Sequence, residues 1–258
     1  MTVQADNLRE CVDRLYDVFA TYRMGGNMSH CDHCVTQDEV DRLTGVPLRK
    51  LSWDLVGHYS SKAMNTWGDS KDFKHFLPRI LEAIAYENYP YDVEVVGNKL
   101  CMAEWTNWPP SEQSAVRNYF HALWSCLIRT FPSRSDFPAI GQIDGMICLL
   151  GKVYDDVCPF LAEWLEDKSA ASLRHIAGFV SANAPRWNQK RKLRNAFWEE
   201  NQSTMIQTGE WMMSEPVRQR LEDGFFQFSS EEFAIEISES IEILDWARGS
   251  GSAKGTVS

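Results

Sequence analysis

Apolar residues recur along most of this chain at spacings of three and four, the period of a helix with one buried face. Leu8, Val12, Leu15, Phe19 and Tyr22 predict a first helix over about 8–22, closed by Gly25-Gly26. Thr36-Gln-Asp-Glu39 has the form of a capping box, in which hydroxyl and carboxylate satisfy the orphan N–H groups of a short helix. Pro47 then predicts a helix start, with Leu48, Leu51, Leu55, Tyr59, Ala63 and Trp67 as its stripe and Gly68 as its end. Asp69-Ser70 offers an N-cap to the next helix, whose Phe73, Phe76, Leu77, Ile80, Leu81, Ile84 and Ala85 form the cleanest stripe in the chain. Pro78 interrupts that stripe. A proline inside a helix costs about 3 kcal/mol in an exposed host, so the helix is expected to bend at 74–78 or two turns to meet there.

Further helices are expected near 93–106, 111–130, 139–153, 157–166, 169–183, 187–200, 202–224 and 230–247. Val93-Glu-Val-Val96 is the one alternating β-branched stretch, too short to build a sheet. The expectation is therefore an all-α protein of about ten helices, arranged as a multi-helix bundle or as irregular stacked helical hairpins. No fragment recurs at a constant interval, which gives a solenoid no support. Residues 1–248 are expected to form a single helical domain, and the Gly/Ser-rich stretch 249–258 a flexible tail.

Composition adds an aromatic excess, with 12% aromatics and 10 Trp in 258 residues, and a net charge of −10. That sign disfavours nucleic acid and anionic membrane and suits a basic protein partner. No apolar run approaches the roughly 20 residues that span a bilayer, and MTVQADNLRE lacks the charged and apolar regions of a signal peptide, so a cytoplasmic protein is expected. The 7 Cys are odd in number and mostly lie within helical stripes, which speaks against a disulfide framework.

Phosphate-cradling glycine loops, His-Glu-x-x-His, EF-hand loops and Gly-x-Ser-x-Gly are all missing from the sequence. One compact constellation stands out: His30-Cys31-Asp32-His33-Cys34. Cys31 and Cys34, with His33, suit a tetrahedral Zn²⁺, because Cys-x-x-Cys lets two thiolates reach one ion as the backbone turns around it. A complete site then needs a further ligand from Cys11, His58 or His75. A plain loop with two reduced thiols, or thiol redox chemistry, are the alternatives.

Thr66-Trp67-Gly68-Asp69 with Asp72, Lys74 and His75 reads either as a pocket rim or as a core tryptophan, a glycine turn and helix-start acids. Trp105 and Trp108, in front of Pro109-Pro110, are candidate binding residues or packing residues. Arg186, Lys190, Arg191, Lys192 and Arg194, interleaved with Trp187, Phe197 and Trp198, superficially resemble a nucleic-acid surface. The acids that follow Ser230 are expected to face them or to share solvent with them.

The order Cys-x-x-Cys, Pro47-Leu-Arg-x-Leu51, Thr66-Trp-Gly-Asp69 and Asp72-Phe-x-His-Phe-Leu-Pro-Arg-Ile-Leu-Glu82 resembles a bacterial family whose members are uncharacterised. The resemblance covers about a fifth of the chain and implies no activity. It implies that Cys31, Cys34, Trp67, Asp69 and His75 belong to one site or one structural knot. The expected function is that of a non-enzymatic, acidic, helical interaction protein of the immunity or adaptor kind, with Trp67, Asp69, His75, Trp105 and Trp108 as binding residues. A metal- or thiol-dependent enzyme built on Cys31/Cys34 and Asp69/His75 is the first alternative, and nucleic-acid binding through a 186–198 helix the second. A small-molecule ligand stays open.

Overall fold

The computed structural model describes residues 3–24, 28–86, 89–131, 139–154 and 156–252. Twelve α-helices and no strand occur among them, so the all-α expectation holds. No helix among the described residues is long and apolar enough to cross a membrane. The chain divides into two compact units, Met1–Leu123 and Trp124–Ser258.

The first unit is built from α1 (Val3–Phe19), α2 (Gln37–Thr44), α3 (Trp53–Lys62), α4 (Ser70–Tyr86) and α5 (Glu94–Met102), with α6 (Pro110–Leu127) beginning in it. The α2 capping box forms as expected, Glu39 N–H donating to the Thr36 hydroxyl and Thr36 N–H to the Glu39 carboxylate. The helix expected from Pro47 to Trp67 is corrected. Leu48–Lys50 is a single 3₁₀ turn, Leu51 is extended, and the Ser52 hydroxyl caps a fresh helix at Leu55 N–H. That helix stops at Lys62, where Ala63 turns out of helical geometry with ψ 132° and Met64 follows in the left-handed region at φ 61°. Trp67 therefore lies in the connection beyond the helix.

Helix α4 is the unit's axis, packed by α1 on one side and α3 on another. It runs unbroken through Pro78, so two helices do not meet there. Burial of Phe73, Phe76, Leu77, Ile80 and Leu81 draws their aliphatic and aromatic surface from water. At roughly 1.5–3 kcal/mol per large side chain, this outweighs the cost of one proline. The 93–106 expectation shortens to α5, since Glu104 adopts φ 50° and Trp105–Asn107 forms a separate 3₁₀ turn.

The second unit contains the end of α6, then α7 (Ala139–Val153), α8 (Cys158–Glu166), α9 (Ala170–Lys190), α10 (Gln202–Met212), α11 (Glu215–Gln227) and α12 (Ala234–Ser252). Helix α9 is its centre, contacted by α7, α10, α11 and most extensively α12. The predicted 187–200 helix does not form. Residues 187–190 are the last turn of α9, Arg191 is left-handed at φ 52°, and Ala196–Glu200 is a 3₁₀ turn capped by Asn195. The predicted 202–224 helix is two helices, parted at Met213-Ser214 ahead of Pro216 in the first turn of α11. Of the expected tail, 249–252 continue α12, and 253–258 lie outside the described residues, as do Gly25 and Gly26.

Candidate functional site

Two places in the first unit gather the residues singled out by sequence. The first is a knot in which residues 28–35 are clipped to the connection after α3. Cys31 N–H donates to the Thr66 carbonyl (2.9 Å), Gly68 N–H to the Ser29 carbonyl (2.7 Å), and His30 and Trp67 form an antiparallel bridge. Gly68 is required here. Its φ is +69°, and a Cβ would sit 2.6 Å from the Met28 methyl. Trp67 is fully buried, edge-on to Tyr59 and His58.

Cys31 and Cys34 sit at the top of this knot, both exposed. The turn between them closes through Cys34 N–H and Val35 N–H, which both donate to the Cys31 carbonyl. Hydrogen bonding from the His33 amide, and then from the Cys34 thiol and amide, lowers the Cys31 thiol from its ordinary value. Donating to that sulfur raises the Cys34 thiol in turn. The expected zinc ligands do not converge. His30 Nε2 faces Asp32 (3.2 Å), His58 Nε2 faces Glu39 (3.1 Å), His75 Nδ1 faces the Tyr22 carbonyl (2.8 Å), and Cys11 donates to the Asn118 carbonyl. His33 is exposed and makes no contact that brings it to a third ligand. No group of three or more His, Cys, Asp or Glu side chains is placed to hold a metal among the described residues.

Asp69 is exposed and caps α4, accepting from Lys71 N–H (2.7 Å) and Asp72 N–H (3.0 Å), while Asp72 accepts Asp69 N–H in return. Burial raises the Asp72 carboxyl above its usual range. Cys31, Trp67 and Asp69 thus share one knot, and His75 faces Tyr22 from the next turn of α4. Trp67, Trp105 and Trp108 are buried in the core. Trp108 donates to the Ala103 carbonyl and packs on Phe19, and Arg117 lies over Trp105.

Beside the cysteine turn lies an open cleft of about 400 Å³, lined by Lys62, Asn65, Thr66, Asn98 and Lys99 among others, with no carboxylate in its wall. Lys62 Nζ donates to the Cys34 carbonyl, and buried Lys99 Nζ donates to the Ala63 carbonyl and to Asn65. Sequence reading missed both lysines, because α5 brings Lys99 to this place only through packing on α3.

In the second unit, the basic stretch keeps Arg186, Lys190, Arg191, Lys192 and Arg194 exposed, but of its interleaved rings Trp187 and Trp198 are buried and Phe197 is half-buried, which leaves little flat face for a nucleic acid to stack on. Among the described residues the acidic helix makes no ion pair with this stretch. Its Glu236 and Asp245 pair instead with Arg174 and Arg218, while Lys192 pairs with Glu199.

A second open cleft, of about 480 Å³, lies where α11 turns into α12. Phe225, Ala234 and Ile235 supply its apolar wall and Glu231, Glu232 and Glu239 its acids. Phe226, next to it in sequence, is 76% exposed and Ile235 is 67% exposed. Those three glutamates form no ion pair among the described residues.

Comparison of the chain with protein-family models, with curated proteins and with solved structures gives no match, so the resemblance carried by the Cys-x-x-Cys, Thr-Trp-Gly-Asp and His-Phe-Leu-Pro-Arg segments rests on those residues alone.

Proposed function

We propose that the protein is a non-enzymatic, acidic interaction protein that receives a basic, apolar-bearing segment of a partner protein at the α11–α12 turn. The observation that carries this reading is one cleft that joins the largely exposed Ile235 and the Phe225 ring, itself against the exposed Phe226, to the unpaired Glu231, Glu232 and Glu239. Isolated exposed apolar residues are ordinary on a protein surface. Here they stand beside three carboxylates that lack cations, in a chain of net charge −10, which suits lysines or arginines flanking an apolar anchor. The overall charge supports the same sign of partner.

A fluorescent helical peptide of lysine and leucine tests the reading by anisotropy titration. Binding is expected, weakened as salt rises and shortens the screening length, and lost in the Phe226→Ser/Ile235→Ser variant. Equal binding of a glutamate-for-lysine peptide, or unchanged binding by that variant, would overturn it.

A further inference from the structure

We propose that Cys31 and Cys34 form a dithiol that exchanges with the disulfide of an anionic low-molecular-weight thiol, whose carboxylates are received in the Lys62–Lys99 cleft. This site is in the first unit and is independent of the interaction reading above.

Three observations carry it. Both sulfurs are exposed and belong to one hydrogen-bonded turn, so a disulfide can form between them with little loss of loop entropy. The turn is anchored at both ends by residues that also line the cleft: Thr66 accepts the Cys31 N–H and Lys62 donates to the Cys34 carbonyl. A disulfide substrate lying on Cys31 therefore has a positively charged cleft beside it. Within this turn the Cys31 thiol is lowered and the Cys34 thiol raised, which favours Cys31 as attacker and leaves Cys34 to resolve.

The exchange balances as follows. The Cys31 thiolate attacks one sulfur of the substrate disulfide, forming the Cys31 mixed disulfide and expelling one substrate thiolate, which takes a proton from water. Cys34, its proton lost to water, attacks the Cys31 sulfur, closes the Cys31–Cys34 disulfide and expels the second thiolate. The protein is oxidised by two electrons and the substrate disulfide is reduced to two thiols. Excess thiol of the same class runs the steps in reverse.

Oxidised glutathione is the anionic probe and cystamine the cationic one, read by mass spectrometry and peptide mapping of the folded protein. N-acetylcysteine in a parallel reaction serves as the reference for ordinary thiol reactivity, because Asp156 raises the thiol of exposed Cys158. Expected is a Cys31–Cys34 disulfide with release of reduced glutathione, arrest as a mixed disulfide on Cys31 in Cys34→Ser, and adduct formation slowed about tenfold in Cys31→Ser. Lys62→Ala should slow the reaction with oxidised glutathione about threefold and leave cystamine unaffected or faster. Circular dichroism of each variant shows that the fold is retained. A stable glutathione adduct without closure, or Cys31 no faster than N-acetylcysteine, overturns the dithiol. An equal effect of Lys62→Ala on both probes overturns the anionic class of substrate.

Discussion

Lys74 and Glu112 show how much a single side chain can decide in the first unit. Lys74 Nζ lies 2.8 Å from Glu112 Oε2 and 3.0 Å from the Tyr22 hydroxyl, which itself donates to Glu112 Oε1 at 2.6 Å. The two charged side chains are only 10% and 7% exposed, and the ammonium also sits over the Trp108 ring. A pair this far from water gains from mutual attraction but loses the hydration of both ions, so its net contribution is modest, whereas removing one partner strands the other. Lys74→Met should therefore cost about 3–5 kcal/mol, measured as a lowered urea midpoint, because Glu112 stays buried with only the Tyr22 hydroxyl. Lys74→Met/Glu112→Leu should recover most of that loss. A single substitution as mild as an exposed pair, about 1 kcal/mol or less, would show that water reaches the pair. Sequence left the segment holding Lys74, Asp72 and His75 as either a pocket rim or a helix start. Its partner, 38 residues on, is found only once α4 and α6 are folded.

Among the elements, those whose caps and apolar stripe agree were legible from sequence. The Thr36/Glu39 box, the Asp69 cap and the 139–153 stripe are examples. Breaks were missed where they depend on a backbone choice made by tertiary packing. Met64, Glu104 and Arg191 all take positive φ without being glycine, and nothing in their side chains announces it. The candidate site divides the same way. Two cysteines in one turn are visible in any reading of the chain, but Lys99 comes to the cleft beside them only through the packing of α5 on α3. Tryptophans at a turn look alike in sequence whether they face water or core, and burial settled Trp67, Trp105 and Trp108 as core. Packing also reverses a propensity argument at Gly209 in α10. Alanine is normally better in a helix by about 1 kcal/mol, but a Cβ there would lie 2.4 Å from the buried Trp187 ring. Overpacking of that kind costs about 1–3 kcal/mol, so Gly209→Ala should lower stability by about 1–2 kcal/mol. Gly249→Ala, with no atom within 4 Å of its Cβ, should raise it by up to about 1 kcal/mol. Thermal unfolding of the two variants side by side checks both signs, and stabilisation by Gly209→Ala would mean that the Trp187 ring yields.

Over the whole molecule, net charge and exposed apolar surface act against each other, and pH sets which prevails. At pH 7 the charge of −10 keeps copies apart, and Glu231, Glu232 and Glu239 place part of that charge around the cleft that carries Ile235. Toward the isoelectric point near 5.1 this repulsion fades, while the apolar area of Phe226 and Ile235 is unchanged. Attraction between such surfaces depends on area removed from water and is indifferent to protonation, so lowering the pH should favour contact between copies through that patch. Light scattering from pH 7.5 down to the isoelectric point should show self-association that rises as net charge vanishes. Phe226→Ser/Ile235→Ser should shift its onset to higher protein concentration while leaving the net charge, and hence the pH of the maximum, unchanged. The internal control is Glu231→Gln/Glu232→Gln, which removes local repulsion but no apolar area and should move the onset the other way, to higher pH. Equal self-association by the serine variant and the parent chain would show that association at low net charge runs through some other surface.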